Sequence, residues 1–152
     1  MHPTLKSKIG QKFAQVALAF SLMASAAQAV DYQLDEVVTG LDSPWAMAFL
    51  PNGDMLVTEL TGQLRIIRNN KLVAMPVAGV PASIFGGQGG LMDIVLHPDY
   101  ASNKLIYLSL SVGTPEAKTL RVIRARFAGD GLEDIQTVFE AAPKRDTYVH
   151  YG

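Results

Sequence analysis

The sequence predicts an all-β fold built from a repeating four-stranded unit, and three observations carry that expectation. Short apolar runs alternate with tight-turn clusters from Val37 to Glu140. No 3.6-residue apolar period competes with them over that stretch. The strand–turn–strand order also recurs: with Pro51 set on Pro98, Ala48-Phe49-Leu50-Pro51-Asn52 lies over Val95-Leu96-His97-Pro98-Asp99, 47 residues further on. A four-stranded unit recurring every 40 to 50 residues or so is the signature of a β-propeller blade.

The elements follow in order. Gly40-Leu41-Asp42-Ser43-Pro44 is a turn cluster. Trp45 to Leu50 is almost wholly apolar and predicts a first strand, closed by Pro51-Asn52-Gly53-Asp54, residues that favour tight turns. Met55 to Thr58 predicts a second strand, Leu64 to Arg68 a third after Thr61-Gly62, and Lys71 to Val73 a fourth after Asn69-Asn70. The second unit opens at Gly89-Gly90 with Leu91 to Leu96, then Lys104 to Leu110, Leu120 to Phe127 and a short Thr137 to Glu140. Trp45 and Phe49 are expected in the core. Arg124 and Arg126 share one strand face and Arg121 the other, all as solvated charges.

The front of the chain is different. Lys6, Lys8 and Lys12 give a basic start, Phe13 to Ala26 carries no charge, and Ala27-Gln28-Ala29 is a small-x-small cleavage pattern. The apolar run is roughly 14 residues where about 20 would be needed to span a bilayer. Residues 1–29 are therefore expected to be a signal peptide, and residues 30–152 the N-terminal, incomplete part of a propeller, with no membrane span after cleavage. There is no twin arginine, which fits export in the unfolded state, and no Cys for a lipid anchor. The destination is periplasmic or secreted.

Composition excludes several functions. Losing the three leader lysines takes the formal charge from −1 to −4, with no basic patch fit for phosphate backbone, so no nucleic acid is expected as a partner. The absence of Cys rules out cysteine nucleophiles and thiolate metal sites. His97 and His150 lack ligand-like spacing, so no metal ligand is assigned within this sequence.

Two residues stand out. Gly86-Gly87-Gln88-Gly89-Gly90 is followed by a strand instead of a helix, which disfavours a nucleotide loop. Such glycines let a backbone turn sharply and come close to a flat ligand, with the Gln88 amide as the one side chain offered there. Read alone, Gln88 is equally a solvated turn residue. His150 falls in the repeat frame near the start of a third unit's first strand, the place Gln88 takes in the second. An imidazole there could take a proton near neutral pH, or be an ordinary loop histidine. His97, ahead of Pro98 in a turn, is expected to be structural, and Asp93 to be a hydrogen-bonded structural residue within an apolar strand.

Taken together, Gly40 to Gly53, Leu56-Val57-Thr58-Glu59, Gly87-Gln88-Gly89-Gly90-Leu91 to His97-Pro98-Asp99-Tyr100 and the late His150-Tyr151-Gly152 resemble the soluble pyrroloquinoline quinone (PQQ)-dependent sugar dehydrogenases, in particular the bacterial aldose sugar dehydrogenase branch. The resemblance implies a six-bladed β-propeller, of which this chain supplies roughly the first two blades. It implies PQQ lying flat over the central channel beside a calcium ion. Gln88 matches the glutamine that contacts PQQ, and His150 the histidine that acts as base. The implied reaction oxidises an aldose at C1 to its lactone, with hydride passing to PQQ and electrons going on to a periplasmic acceptor. The calcium ligands and remaining PQQ contacts are expected beyond residue 152. Two other readings stay open: a propeller that only binds a ligand or partner, and a propeller lactonase or other hydrolase using a carboxylate-held metal, for which Asp93 is the one candidate.

Two blades alone would expose strand edges and a raw blade face. Residues 30–152 expressed by themselves are therefore expected to be insoluble or partly unfolded and inactive; a soluble monomer with a cooperative thermal transition would overturn that expectation.

Overall fold

The structure, a computed structural model, describes residues 32–146. The leader and His150 lie outside the described residues. Backbone contacts divide the chain into Met1–Asp35 and Glu36–Gly152. Of the first unit, Tyr32 to Asp35 has no regular secondary structure, with Gln33 Nε2 donating to Asp35 Oδ1. Both sheets belong to the second unit.

The first sheet is an antiparallel meander of β1 (Pro44–Phe49), β2 (Met55–Glu59), β3 (Leu64–Arg68) and β4 (Lys71–Leu72), in that spatial order. Its turns are set by local chemistry. After β1, Asp54 N donates to Asn52 Oδ1 at 3.2 Å while Gly53 takes φ 88°. Between β3 and β4, Asn69 and Asn70 both sit at positive φ, 52° and 58°, as a two-residue hairpin with the right twist demands.

The second sheet has the same order: β5 (Leu91–Leu96), β6 (Leu105–Thr114), β7 (Ala117–Phe127) and β8 (Leu132–Glu140). One helical turn, α1 (Tyr100–Asn103), intervenes between β5 and β6. The sequence reading had no helix there and made β6, β7 and β8 shorter. Four residues carry too little apolar period to be seen, and β8 is almost wholly exposed, so it shows little apolar patterning.

The repeat predicted from Pro51 and Pro98 holds in backbone detail. β5 begins and ends 47 residues after β1. Both strands carry a register shift at the same place, between Pro44 and Met47 in one and between Leu91 and Ile94 in the other. Each bulge frees an amide, and each sheet closes it with a hydroxyl from its second strand. Ala46 N donates to Thr58 Oγ1 at 3.1 Å, and Asp93 N donates to Ser109 Oγ at 3.0 Å. The hydroxyls are 51 residues apart because the α1 connection adds four: Phe49 faces Met55, whereas Leu96 faces Ile106.

Leu56, Leu64 and Ile66 of the first sheet and Leu91, Ile106, Leu108, Leu110 and Ile123 of the second form one buried cluster. Each such side chain contributes about 1.5–3 kcal/mol on burial. Backbone contacts add to it. Thr58 Oγ1 donates across to Met92 O, and Leu91 N donates to Leu60 O at 3.3 Å. Further out, Ala78 N donates to Asp130 O and Leu132 N to Ala78 O, pinning the segment that leaves β4 to the β7–β8 turn.

Trp45 and Phe49 are a correction: they are 49% and 66% exposed, not core. β1 is an edge strand, and its side chains alternate between a half-buried face carrying Ala46 and Ala48 and a face bearing Trp45, Met47 and Phe49 that no described residue covers. The arginines are not simply solvated either. Arg121 binds Glu140, Arg124 binds Gln136 and Arg126 binds Asp134, a ladder of polar pairs across β7 and β8. The Arg121 guanidinium holds the Glu140 carboxyl below the ordinary glutamate range.

Thr58 serves two amide–carbonyl partners on different strands and is fully buried, whereas Ser109 serves only the Asp93 amide. In the complete protein, Thr58→Val is expected to cost about 1–3 kcal/mol, and Ser109→Ala less, about 0.5–1.5 kcal/mol. Denaturant unfolding that ranks them the other way round would contradict this account of the bulges.

Candidate functional site

Gln88 and Asp93 lie at the end of the second sheet where β5 begins and the β6–β7 hairpin turns. β5 is the first strand of its sheet, and the glycine segment feeds directly into it. Gly86 N donates to Gly89 O at 3.1 Å, and Gly89 N returns the bond to Gly86 O at 2.9 Å. Gly87 and Gln88 form the tip of this small closed turn.

Two glycines are required by close approach. A Cβ on Gly90 would lie 2.1 Å from Leu60 O, and one on Gly89 would lie 2.7 Å from Ser111 Oγ. The turn is therefore clamped between the first sheet and β6. Ser111, fully buried, supplies most of the clamp. Its carbonyl accepts from Ile84 N at 2.8 Å, its amide donates to Gly90 O at 2.9 Å, and its hydroxyl accepts from Gly90 N at 3.3 Å.

On this rigid base the Gln88 side chain is exposed and makes no hydrogen bond among the described residues. Its amide keeps a donor and an acceptor for a ligand. The exposed Gly87 backbone beside a free amide suits a flat group that hydrogen-bonds at its rim, chemistry that fits one edge of PQQ.

His150 was the second candidate, and its position lies outside the described residues. The segment leading toward it is described as far as Asp146. After β8, Ala141 N donates to Leu120 O and Thr119 Oγ1 donates to Ala141 O at 2.7 Å. The chain then pairs with the hairpin end of β7: Lys118 N donates to Arg145 O at 2.9 Å and Arg145 N to Lys118 O at 2.8 Å.

Asp93 departs from its expected role. Its amide is held by Ser109, but its side chain is exposed at the β5 bulge and makes no hydrogen bond or ion pair among the described residues. No three His, Asp or Glu side chains are grouped to hold a metal ion among the described residues. His97 is structural as expected: its Nδ1 accepts from Asp99 N at 3.0 Å, lies 2.9 Å from Asn103 Nδ2, and its ring stacks on Tyr107.

Sequence reasoning missed Ser111 and Lys118. Neither belongs to a motif, since a Ser within an apolar strand and a Lys near a turn are both ordinary. Their importance comes from what the hairpin brings beside them.

Comparison with known proteins places this arrangement. Residues 41–152 match the model of the glucose/sorbosone dehydrogenase family. The aldose sugar dehydrogenase YliI of Escherichia coli K12 is 41% identical over 116 residues, covering 74% of this chain and 31% of that protein. Among solved structures, a glucose dehydrogenase crystal structure superposes with a TM-score of 0.71 at 33% identity, over 75% of this chain and 34% of that one. The PQQ-bound aldose sugar dehydrogenase of Streptomyces coelicolor superposes with a TM-score of 0.62 at 30% identity, over 75% of this chain and 37% of that one. The chain thus spans about a third of the length of the relatives it matches. The two sheets correspond to the first blades of these sugar dehydrogenase propellers, and the chain belongs to the glucose/sorbosone dehydrogenase family.

Proposed function

We propose that this chain provides the first two blades of an exported, PQQ-dependent dehydrogenase that oxidises aldose sugars at C1 to lactones. The observation that carries the reading is the free Gln88 amide on a clamped glycine turn at the head of β5, the first strand of its sheet. The family membership and the PQQ-bound S. coelicolor relative support it.

The residues divide the work as follows. Gln88 would hold the rim of PQQ through its amide, and the exposed Gly87 would let the group lie close to the backbone. PQQ, when bound beside calcium, supplies the two-electron acceptor. His150 takes the proton of the anomeric hydroxyl while the C1 hydrogen leaves with its electron pair, so that the C1–O bond becomes the lactone carbonyl. A neutral imidazole is required for that step, which the ordinary histidine pKa near 6.5 allows at neutral pH. The electrons then pass to a periplasmic carrier. Calcium ligands and the other PQQ contacts belong to later blades.

The test uses the complete protein encoded at this locus. Dye reduction with glucose is expected only when both PQQ and calcium are added. His150→Ala should lower kcat by about 10²–10⁴-fold. Gln88→Ala should raise the PQQ concentration needed for half-activation while the protein stays folded. Glucose oxidation without PQQ, or an unimpaired His150→Ala, would defeat the proposal; hydrolysis of added lactone in its place would favour a hydrolase.

Export makes a separate prediction. N-terminal sequencing of the protein recovered from the periplasm or medium should begin at Val30, and a chain retaining Met1 in the cytoplasm would refute the leader.

A further inference from the structure

The short loop of residues 85–89 has both of its ends fastened to one residue of β6. Ile84 N, before the loop, donates to Ser111 O at 2.8 Å, and Gly90 O, after it, accepts from Ser111 N at 2.9 Å. Any residue but proline could make these main-chain bonds at position 111. The side chain adds a third, since the Ser111 hydroxyl accepts from Gly90 N at 3.3 Å. Among the described residues it is the one side-chain hydrogen bond into the segment 84–91. Gly90 is buried, and a buried amide left without an acceptor is costly. Leu110 and Val112, on either side of Ser111, belong to the apolar core, whereas Ser111 is equally buried and polar. Burying a hydroxyl is unfavourable unless it is hydrogen-bonded, and the bond made here serves the loop. The hydroxyl also occupies the space that Gly89 leaves, because a Cβ there would lie 2.7 Å from Ser111 Oγ.

We propose that Ser111 is a positioning residue for cofactor binding, its hydroxyl fixing the loop end two residues after Gln88 so that the Gln88 amide stands on a rigid base. The inference rests on the reading of Gln88 as a PQQ contact. The Gln88 side chain makes no hydrogen bond of its own among the described residues, so its placement comes from the backbone on either side of it. A loop tied at both ends has little freedom left to lose when a ligand binds, and a preorganised group binds more tightly than one that must first be ordered. The Gly86–Gly89 pair closes the loop on itself and sets its shape. The three Ser111 bonds set where that shape stands on β6. Of the three, the hydroxyl bond is the one that a substitution removes while both main-chain bonds remain.

The complete protein, prepared without PQQ and then titrated with it in the presence of calcium, provides the test. Ser111→Ala, Gly89→Ala and Gln88→Ala are made singly, and Ser111→Ala is combined with each of the other two. Binding is read by equilibrium dialysis of PQQ, with no sugar present. Ser111→Ala is expected to raise Kd for PQQ by about two- to tenfold, the scale of one hydrogen bond. KM for glucose at saturating PQQ should change by less than about twofold. Gly89→Ala should raise Kd for PQQ by a similar factor, because its Cβ displaces the same hydroxyl. The two losses should not multiply when Ser111→Ala and Gly89→Ala are combined, since removing the hydroxyl makes room for the new methyl group. In the Gln88→Ala background, where the contact itself is gone, Ser111→Ala should add little. A second readout needs no cofactor: amide exchange at Gly90 should quicken in Ser111→Ala, whereas exchange at Asp93, whose amide Ser109 holds, should not. Unaltered exchange at Gly90, an unaltered Kd with only the Tm lowered, or losses that multiply in either pair would each overturn the inference. If Ser111→Ala does not fold, Gly89→Ala takes its place in the comparison with Gln88→Ala. If Gln88→Ala leaves Kd for PQQ unchanged, the reading of Gln88 falls and the positioning role with it. If Gln88→Ala weakens binding and Ser111→Ala does not, only the positioning role falls.

Discussion

The contact on which the two sheets depend is a backbone approach that any side chain at residue 90 would block. Leu60 O stands where a Cβ on Gly90 would have to be, and the same carbonyl accepts a hydrogen bond from Leu91 N. Moving the second sheet outward to make room would pull Leu91 from the shared core and break the bond from Thr58 to Met92. It would also shift the glycine turn that carries Gln88. Packing and site geometry therefore rest on one small residue: the space it leaves lets β5 start where it does.

Around that contact the sheets solve one problem in the same way. The first strand of each sheet is bulged near its start, which turns the strand head but takes one backbone amide out of the ladder. A hydroxyl on the neighbouring strand accepts from that amide in both sheets, Thr58 in the first and Ser109 in the second. Thr58 has the further task of reaching Met92, so the first bulge is tied to the second sheet and not only to its own. The Asp93 carboxylate is left exposed by the same geometry, because the bulge consumes its amide while turning its side chain outward.

Much of this was legible in the sequence, and what was not has physical causes. The 47-residue spacing of Pro51 and Pro98 located the first strand of each sheet because a proline in a turn fixes the chain on either side of it. The glycine segment and Gln88 were visible because five small or polar residues interrupting an apolar pattern have few structural explanations. Trp45 and Phe49 misled because apolar character in an edge strand does not say which partner will cover it. The polar ladder on β7 and β8 was invisible for a different reason. The sequence puts Arg124 and Arg126 on one strand face and Arg121 on the other, but only the register, broken twice by irregularities, decides that Glu140, Gln136 and Asp134 meet them. The buried state of Lys118 was hidden in the same way, since its surroundings come from residues well away in the chain.

The β6–β7 hairpin ties these strands of reasoning together. On its β6 arm, Ser111 holds the turn that presents Gln88 through its amide, carbonyl and hydroxyl. On its β7 arm, Lys118 and Thr119 hold the segment after β8 at Arg145 and Ala141. The two arms are in direct register, with Ser111 opposite Leu120 and Gly113 opposite Lys118. A Cβ on Gly113 would lie 2.1 Å from Ala117 O, so the hairpin end is as tightly closed as the junction at Gly90. One ribbon therefore holds the turn that carries Gln88 on one arm and residues 141–146 on the other. Elements built on separate loops would each bring their own positional freedom, and those freedoms would add. Elements built on opposite arms of one paired ribbon share a reference frame.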